Sequence, residues 1–183
     1  MITKEEVPMA ALLYSATMSL DGFIAGPGGD MGWLNRHLGP PSPALEALPS
    51  QTGCLLIGGR TFRGDDPNAG TDSEGAFEGE YAGPSVVLTR TPPAESVPGV
   101  EFETDLVRAV ERSRELAGER YVNVLGAATA QACLRAGLLD EILLCVTPVL
   151  LGGGTRAFEP NDLGEVGLEP LPDTGELWFR MRR

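Results

Sequence analysis

Three short stretches set glycines, hydroxyls and guanidinium groups directly behind apolar runs. They are Gly58-Gly59-Arg60-Thr61 after "CLLI", Thr89-Arg90 after "SVVL", and Gly126-Ala127-Ala128-Thr129 after "YVNVL". Such a pattern suits an anion. Glycine lets a ligand approach the backbone, and the first N–H groups of a helix point at it with the positive end of the helix dipole behind them. Nothing bulky follows Gly126 until Thr129, which is what a pyrophosphate requires. Small residues at a strand-to-helix turn also serve packing alone. Gly58 to Thr61 reads equally as a tight turn whose threonine caps a helix. No stretch is a G-x-G-x-x-G fingerprint, and none carries the lysine that completes a P-loop.

Arg90 ends a buried-looking strand, in a chain with 14 basic and 26 acidic side chains. One reading is an exposed arginine at a strand end. The other is a phosphate contact: an acid after a strand holds a ribose 2′-hydroxyl, whereas an arginine accommodates a 2′-phosphate. No acid follows Leu88 until Glu95. Taken together, the three stretches favour NADPH over NADH.

The candidates for acid–base work and ring contact lie early in the chain. Asp21 in "SLDGF" and Asp30 in "GPGGDMGW" are possible proton sources, and both also suit turns. Trp33 is placed either to lie over a nicotinamide or to anchor its loop in the core. His37, the single histidine, is a further candidate for touching substrate. One histidine and three scattered cysteines (Cys54, Cys133 and Cys145, with no C-x-x-C pair) argue against a metal site and suggest reduced core thiols. No G-x-S-x-G elbow accompanies His37.

The elements that must position these residues follow from the apolar pattern. Strands are expected at Ala10 to Ser19, Cys54 to Ile57, Val86 to Thr89, Val100 to Glu103, Tyr121 to Leu125, Ile142 to Val146 and Leu177 to Met181. Helices are expected from a Thr104-Asp105 cap to about Leu116, and from Ala127 to Ala136 with Gly137 closing it. The proline-bearing stretch with Pro40, Pro41 and Pro43 reads as a short polar region. Residues 63 to 83 carry six acids and few apolar groups, so they read as a long, mobile, solvated loop. Strands alternating with helices imply an α/β fold: a mostly parallel sheet covered on both faces, with antiparallel members at its edge. Open sheets of this kind bind ligands at the carboxyl ends of their strands, where the three stretches fall.

A chain of 183 residues suits one domain over residues 1–183, with no internal repeat. A net charge of −12 argues against nucleic acid and anionic membrane as partners. No apolar run approaches the roughly 20 residues of a membrane span. Without a signal-peptide layout after Met1, a cytoplasmic location is expected.

Set in order, "SLDGFIAGPGGDMGWL", "LLIGGRTF", "VVLTR" and "VLGAATAQACLRAGLLDEILLCVTPVLLGGGTRAF" resemble the dihydrofolate reductase superfamily. The nearer resemblance is to the reductase domain of riboflavin biosynthesis. It implies a three-layer α/β fold and hydride transfer from NADPH to a pyrimidine- or pterin-like heterocycle. It places Gly59, Arg60, Thr61, Thr89 and Arg90 along the adenosine-phosphate half, and Gly126, Ala127, Ala128 and Thr129 at the pyrophosphate. Asp21 and Trp33 match the loop that closes over nicotinamide and substrate, and Gly152-Gly153-Gly154 the rim of the site. A homodimer is also implied. Two departures concern the substrate: Ser15 and Phe23 stand where riboflavin reductases carry lysines. No acid follows Trp33 in Leu34-Asn35-Arg36-His37-Leu38, where folate reductases hold the pterin.

Overall fold

The computed structural model describes residues 9–37, 39–64, 66, 68–159, 164–171 and 176–182. Its centre is β1 (Leu12–Ser19), flanked by β6 (Tyr121–Leu125) and β7 (Glu141–Thr147). Outward from β6 lie β3 (Thr52–Gly58), β4 (Ser85–Leu88) and β5 (Val100–Glu103). These six strands run parallel. Beyond β7, β10 (Leu177–Met181) and then β9 (Leu168–Pro170) add antiparallel, as expected for the late strands.

A parallel sheet buried on both faces needs apolar residues on both sides of each strand. Leu12, Leu13 and Tyr14 are accordingly all buried, as are Cys54, Leu55 and Leu56. On one face Leu12, Tyr14, Leu56, Val124 and Leu144 pack with α4 (Leu106–Ala117) and α5 (Ala127–Arg135). On the other, Leu13 and Leu143 meet Leu48 of α2 (Pro43–Gln51). Helices thus cover both faces, giving three layers. At the amino end of β3, a side chain on Gly53 would run into the backbone of Ala117.

Asp105 caps α4 by accepting from the Arg108 N–H at 3.0 Å. The polar reading of the proline stretch is corrected here. Pro43 is the first residue of α2, where its missing N–H costs nothing, and Ser42 caps the helix by accepting from Leu45 N. A second short helix, α1 (Trp33–His37), precedes it. Two brief strands, β2 (Phe23–Ala25) and β8 (Thr155–Arg156), pair beside the main sheet. Two or three residues are too few to display an alternation in sequence.

After α3 (Gly59–Phe62), the described residues before β4 form a succession of hydrogen-bonded turns. Two of the acids there are used locally: Asp66 accepts from the N–H groups of Asn68 and Gly75, and Glu74 from that of Gly70. Phe77 folds inward against the Leu48 cluster and meets Tyr81 edge-on at 6.3 Å. Phe77 and Glu78 both hold positive φ, of 54° and 56°. Left-handed backbone at such residues costs roughly 1–2 kcal/mol each. No helix among the described residues is long and apolar enough to cross a membrane.

Candidate active site

A cleft of about 1920 Å³ opens along the carboxyl ends of the parallel strands. Because β4, β3 and β6 are neighbours in the sheet, the three glycine- and arginine-bearing turns lie side by side in its wall. They also interlock. A side chain on Gly58 would meet the Thr129 hydroxyl at 2.5 Å, and one on Gly59 the Thr89 hydroxyl at 2.7 Å. One on Gly126, whose φ is 101°, would collide with the Thr61 hydroxyl. Each threonine fills the space that a neighbouring turn leaves empty.

The interlock sorts the residues. Thr89 and Thr129 are buried, 7% and 5% exposed, and pack between turns. The Thr89 hydroxyl accepts from the Thr91 N–H at 3.3 Å and from Arg63 at 3.4 Å. Arg60, Thr61, Arg90 and Ala128 are exposed along the cleft wall. Gly126 provides no side-chain cap for α5, so the first N–H groups of that helix open toward the cleft. Among the described residues neither Arg60 nor Arg90 has an ion-pair partner. Arg112 contrasts with them, held by Glu101 at 2.7 Å and Glu115 at 2.8 Å. Open glycine turns, an uncapped helix start and uncommitted guanidinium groups fit a dinucleotide with an additional phosphate. Sequence reading missed Arg63, which lines the same wall. Its signal was the spacing: it follows Arg60 by three residues, one helical turn.

The early acids sit elsewhere. The Asp21 carboxylate accepts from the Ser19 hydroxyl at 2.6 Å, from Leu151 N at 3.1 Å and from Gly152 N at 2.8 Å. The Ser19 hydroxyl, followed by the two backbone donors, holds its carboxyl down at about 2. Near neutrality it carries no proton to give, and it is not part of the cleft lining. Asp21 ties the turn after β1 to the glycine loop after β7. Gly154 then runs so close to Ala25 and Gly26 that a Cβ would overlap their backbone. Asp30, exposed, accepts from Gly32 N at 2.9 Å as a turn residue outside that lining. Trp33 is 1% exposed and likewise outside it, which favours its anchoring role over a ring-covering one. Its indole Nε1 has no partner among the described residues. His37 is exposed and does line the cleft.

The remaining cleft wall comes from β1, β2, α1, α2 and β7. Ser15 and Thr17 line it, and the Ser15 hydroxyl donates to Asn123 Oδ1 at 2.9 Å. Ile24, Met31, Leu34, Leu45 and Phe77 supply apolar surface. Burial pushes the Cys54 thiol up to about 11 and Cys133 up to about 12, so both are inert core groups. Cys145 is half-buried and faces the cleft.

Solved structures share this architecture. A Shewanella sp. PV-4 protein provisionally assigned to riboflavin biosynthesis superposes with a TM-score of 0.69 at 24% identity, over 94% of this chain and 99% of that one. The riboflavin biosynthesis reductase Rib7 of Saccharomyces cerevisiae gives 0.56 at 17%, over 99% and 93%. Dihydrofolate reductase from Enterococcus faecalis, complexed with NADP(H) and RAB-propyl, gives 0.55 at 16%, over 93% and 92%. No curated protein sequence matches the chain. The model of the RibD C-terminal domain matches residues 10–171, spanning every strand from β1 to β9 and all three turns of the cleft wall. This chain belongs to the RibD C-terminal domain family.

Proposed function

We propose that this protein is an NADPH-dependent reductase that delivers hydride to a pyrimidine- or pterin-like heterocycle. The observation that carries the reading is the interlocked wall of β3, β4 and β6 turns, with an uncapped α5 and two arginines unpaired among the described residues. Gly126, Ala127 and Ala128 receive a pyrophosphate on backbone N–H groups, and Arg60 and Arg90 take the adenosine phosphate. When bound, the nicotinamide supplies the hydride; the protein orients two rings and keeps water out. The apolar wall of Ile24, Met31, Leu34 and Phe77 performs that exclusion.

Asp21, held deprotonated and outside the cleft lining, is not assigned the proton donor's role. The test is fluorescence titration with NADPH and NADH, followed by NADPH oxidation against a panel of pyrimidines and pterins. NADPH is expected to bind at least about tenfold more tightly than NADH, the value of one charge-assisted phosphate contact. Equal affinities overturn the cofactor assignment. Tight NADPH binding with no oxidation across the panel points instead to a nucleotide-binding homologue without turnover.

A further inference from the structure

Among the described residues, five carboxylates line the cleft, and they differ in how they are held. Glu46, Glu78 and Glu80 are exposed, and Asp66 accepts from two turn N–H groups. Glu176 is half-buried and stands at the start of β10, on the far side of the cleft from the arginines. Sheet register sets its neighbours. Leu177 pairs with Leu144, which brings Glu176 level with Cys145; Cys145 in turn pairs with Thr17 of β1. Thr17, Cys145 and Glu176 therefore form a row across three adjacent strands, and all three line the cleft. Cys145, half-buried, stands between Thr17 and Glu176 in that row. Ser15, two residues before Thr17 and so on the same face of β1, extends the polar floor.

We propose that Glu176 is the specificity-determining acid of the substrate half, taking the amidine-like edge (ring N–H plus amino group) of a flat heterocycle. The inference rests on the reading of this cleft as a heterocycle reductase site. A carboxylate only accepts, through two oxygens with about four lone-pair positions. A thiol is a weak donor, so the neighbouring Cys145 competes only weakly with a ligand's N–H groups for those oxygens. Two parallel N–H donors match the spacing of carboxylate oxygens, as in other bidentate pairs. A 2,4-dioxo ring presents carbonyl oxygens beside its N–H groups, and these face a carboxylate unfavourably. Apolar Leu45, Leu48 and Phe77 lie along the neighbouring wall, suited to the ring faces. The acid absent after Trp33 is thus supplied from the other end of the chain.

Calorimetric titration with 2,4-diaminopyrimidine and with uracil tests this directly, on wild type and on Glu176→Gln. Wild type is expected to prefer 2,4-diaminopyrimidine, and Glu176→Gln to lose that probe by at least about tenfold, the worth of a charge-assisted pair. Uracil affinity and NADPH affinity are expected to stay at wild-type levels in the variant. Equal binding of 2,4-diaminopyrimidine to both proteins, or a wild type that does not discriminate the two rings, overturns the proposal. If Glu176→Gln unfolds, Glu176→Asp replaces it, withdrawing the carboxylate by one methylene. A reduced preference then supports the assignment and an unchanged one overturns it. NADPH titration is read separately. A wild type that binds 2,4-diaminopyrimidine through Glu176 but not NADPH defeats the reductase reading while leaving this one standing.

Discussion

The two halves of the cleft are built by different means. The half at the ends of β3, β4 and β6 consists of three turns, two of them opened by glycine, with threonines interlocked between them. Its chemistry is largely backbone N–H groups plus arginines a residue or two away. The opposite half has no such motif. Its floor is Ser15 and Thr17 from β1, Cys145 from β7 and Glu176 from β10, gathered by strand pairing. Backbone recognition tolerates little change, because a glycine turn has no room to relax. Side-chain recognition can be altered residue by residue while the sheet beneath it stays intact.

Gly126→Val tests that contrast most severely. The new side chain must adopt a φ near 101° and collide with Thr61. Left-handed strain and overpacking together destabilise by about 2–5 kcal/mol. NADPH binding is expected to vanish, because the β-branch occupies the pyrophosphate path. Urea unfolding beside fluorescence titration checks both effects. A variant as stable as wild type that binds NADPH normally would show that this turn is not the nucleotide cradle.

Arg90→Ala is milder and cleaner. The side chain is exposed with no ion-pair partner among the described residues, so stability should hold within about 0.5 kcal/mol. NADPH affinity should fall about tenfold and NADH affinity hardly at all. A parallel loss for both cofactors would mean that the arginine does not read the 2′-phosphate.

Asp21→Asn should produce the smallest effect on NADPH. It removes a charge-assisted acceptor shared by Leu151 and Gly152, beneath the glycine loop rather than in the cleft wall. Lower thermal stability with wild-type cofactor affinity is the expected result. The pH dependence has a definite sign. A carboxyl lowered from 3.8 to about 2 contributes stability that is fully present above 3.8 and fades as pH falls toward 2. The thermal gap between wild type and Asp21→Asn should therefore narrow across that window. A gap independent of pH from 5 down to 2 would refute the anchoring role.

Much of this protein was legible in its residues because the physics involved is local. Apolar runs bounded by glycine, proline and aspartate marked the seven longer strands, including antiparallel β10. Asp105 marked the start of α4 with a side chain that satisfies a nearby N–H. The turn at Gly126-Ala127-Ala128 was legible as well, since small residues after a strand mark a strand-to-helix turn. Helix α2 was readable too, from Ser42 and Pro43, but a cluster of prolines suggested irregular chain instead.

The alternation of strands and helices, and the small residues of the turns between them, could be read directly from the chain. Only the tertiary structure decided the work of Asp21, whose partners Leu151 and Gly152 lie 130 and 131 residues away. It alone placed Trp33 among core residues and drew Thr17, Cys145 and Glu176 into one row. The physical reason is range: a turn's conformation follows from its own residues, whereas a side chain's task depends on which distant strand the sheet lays beside it.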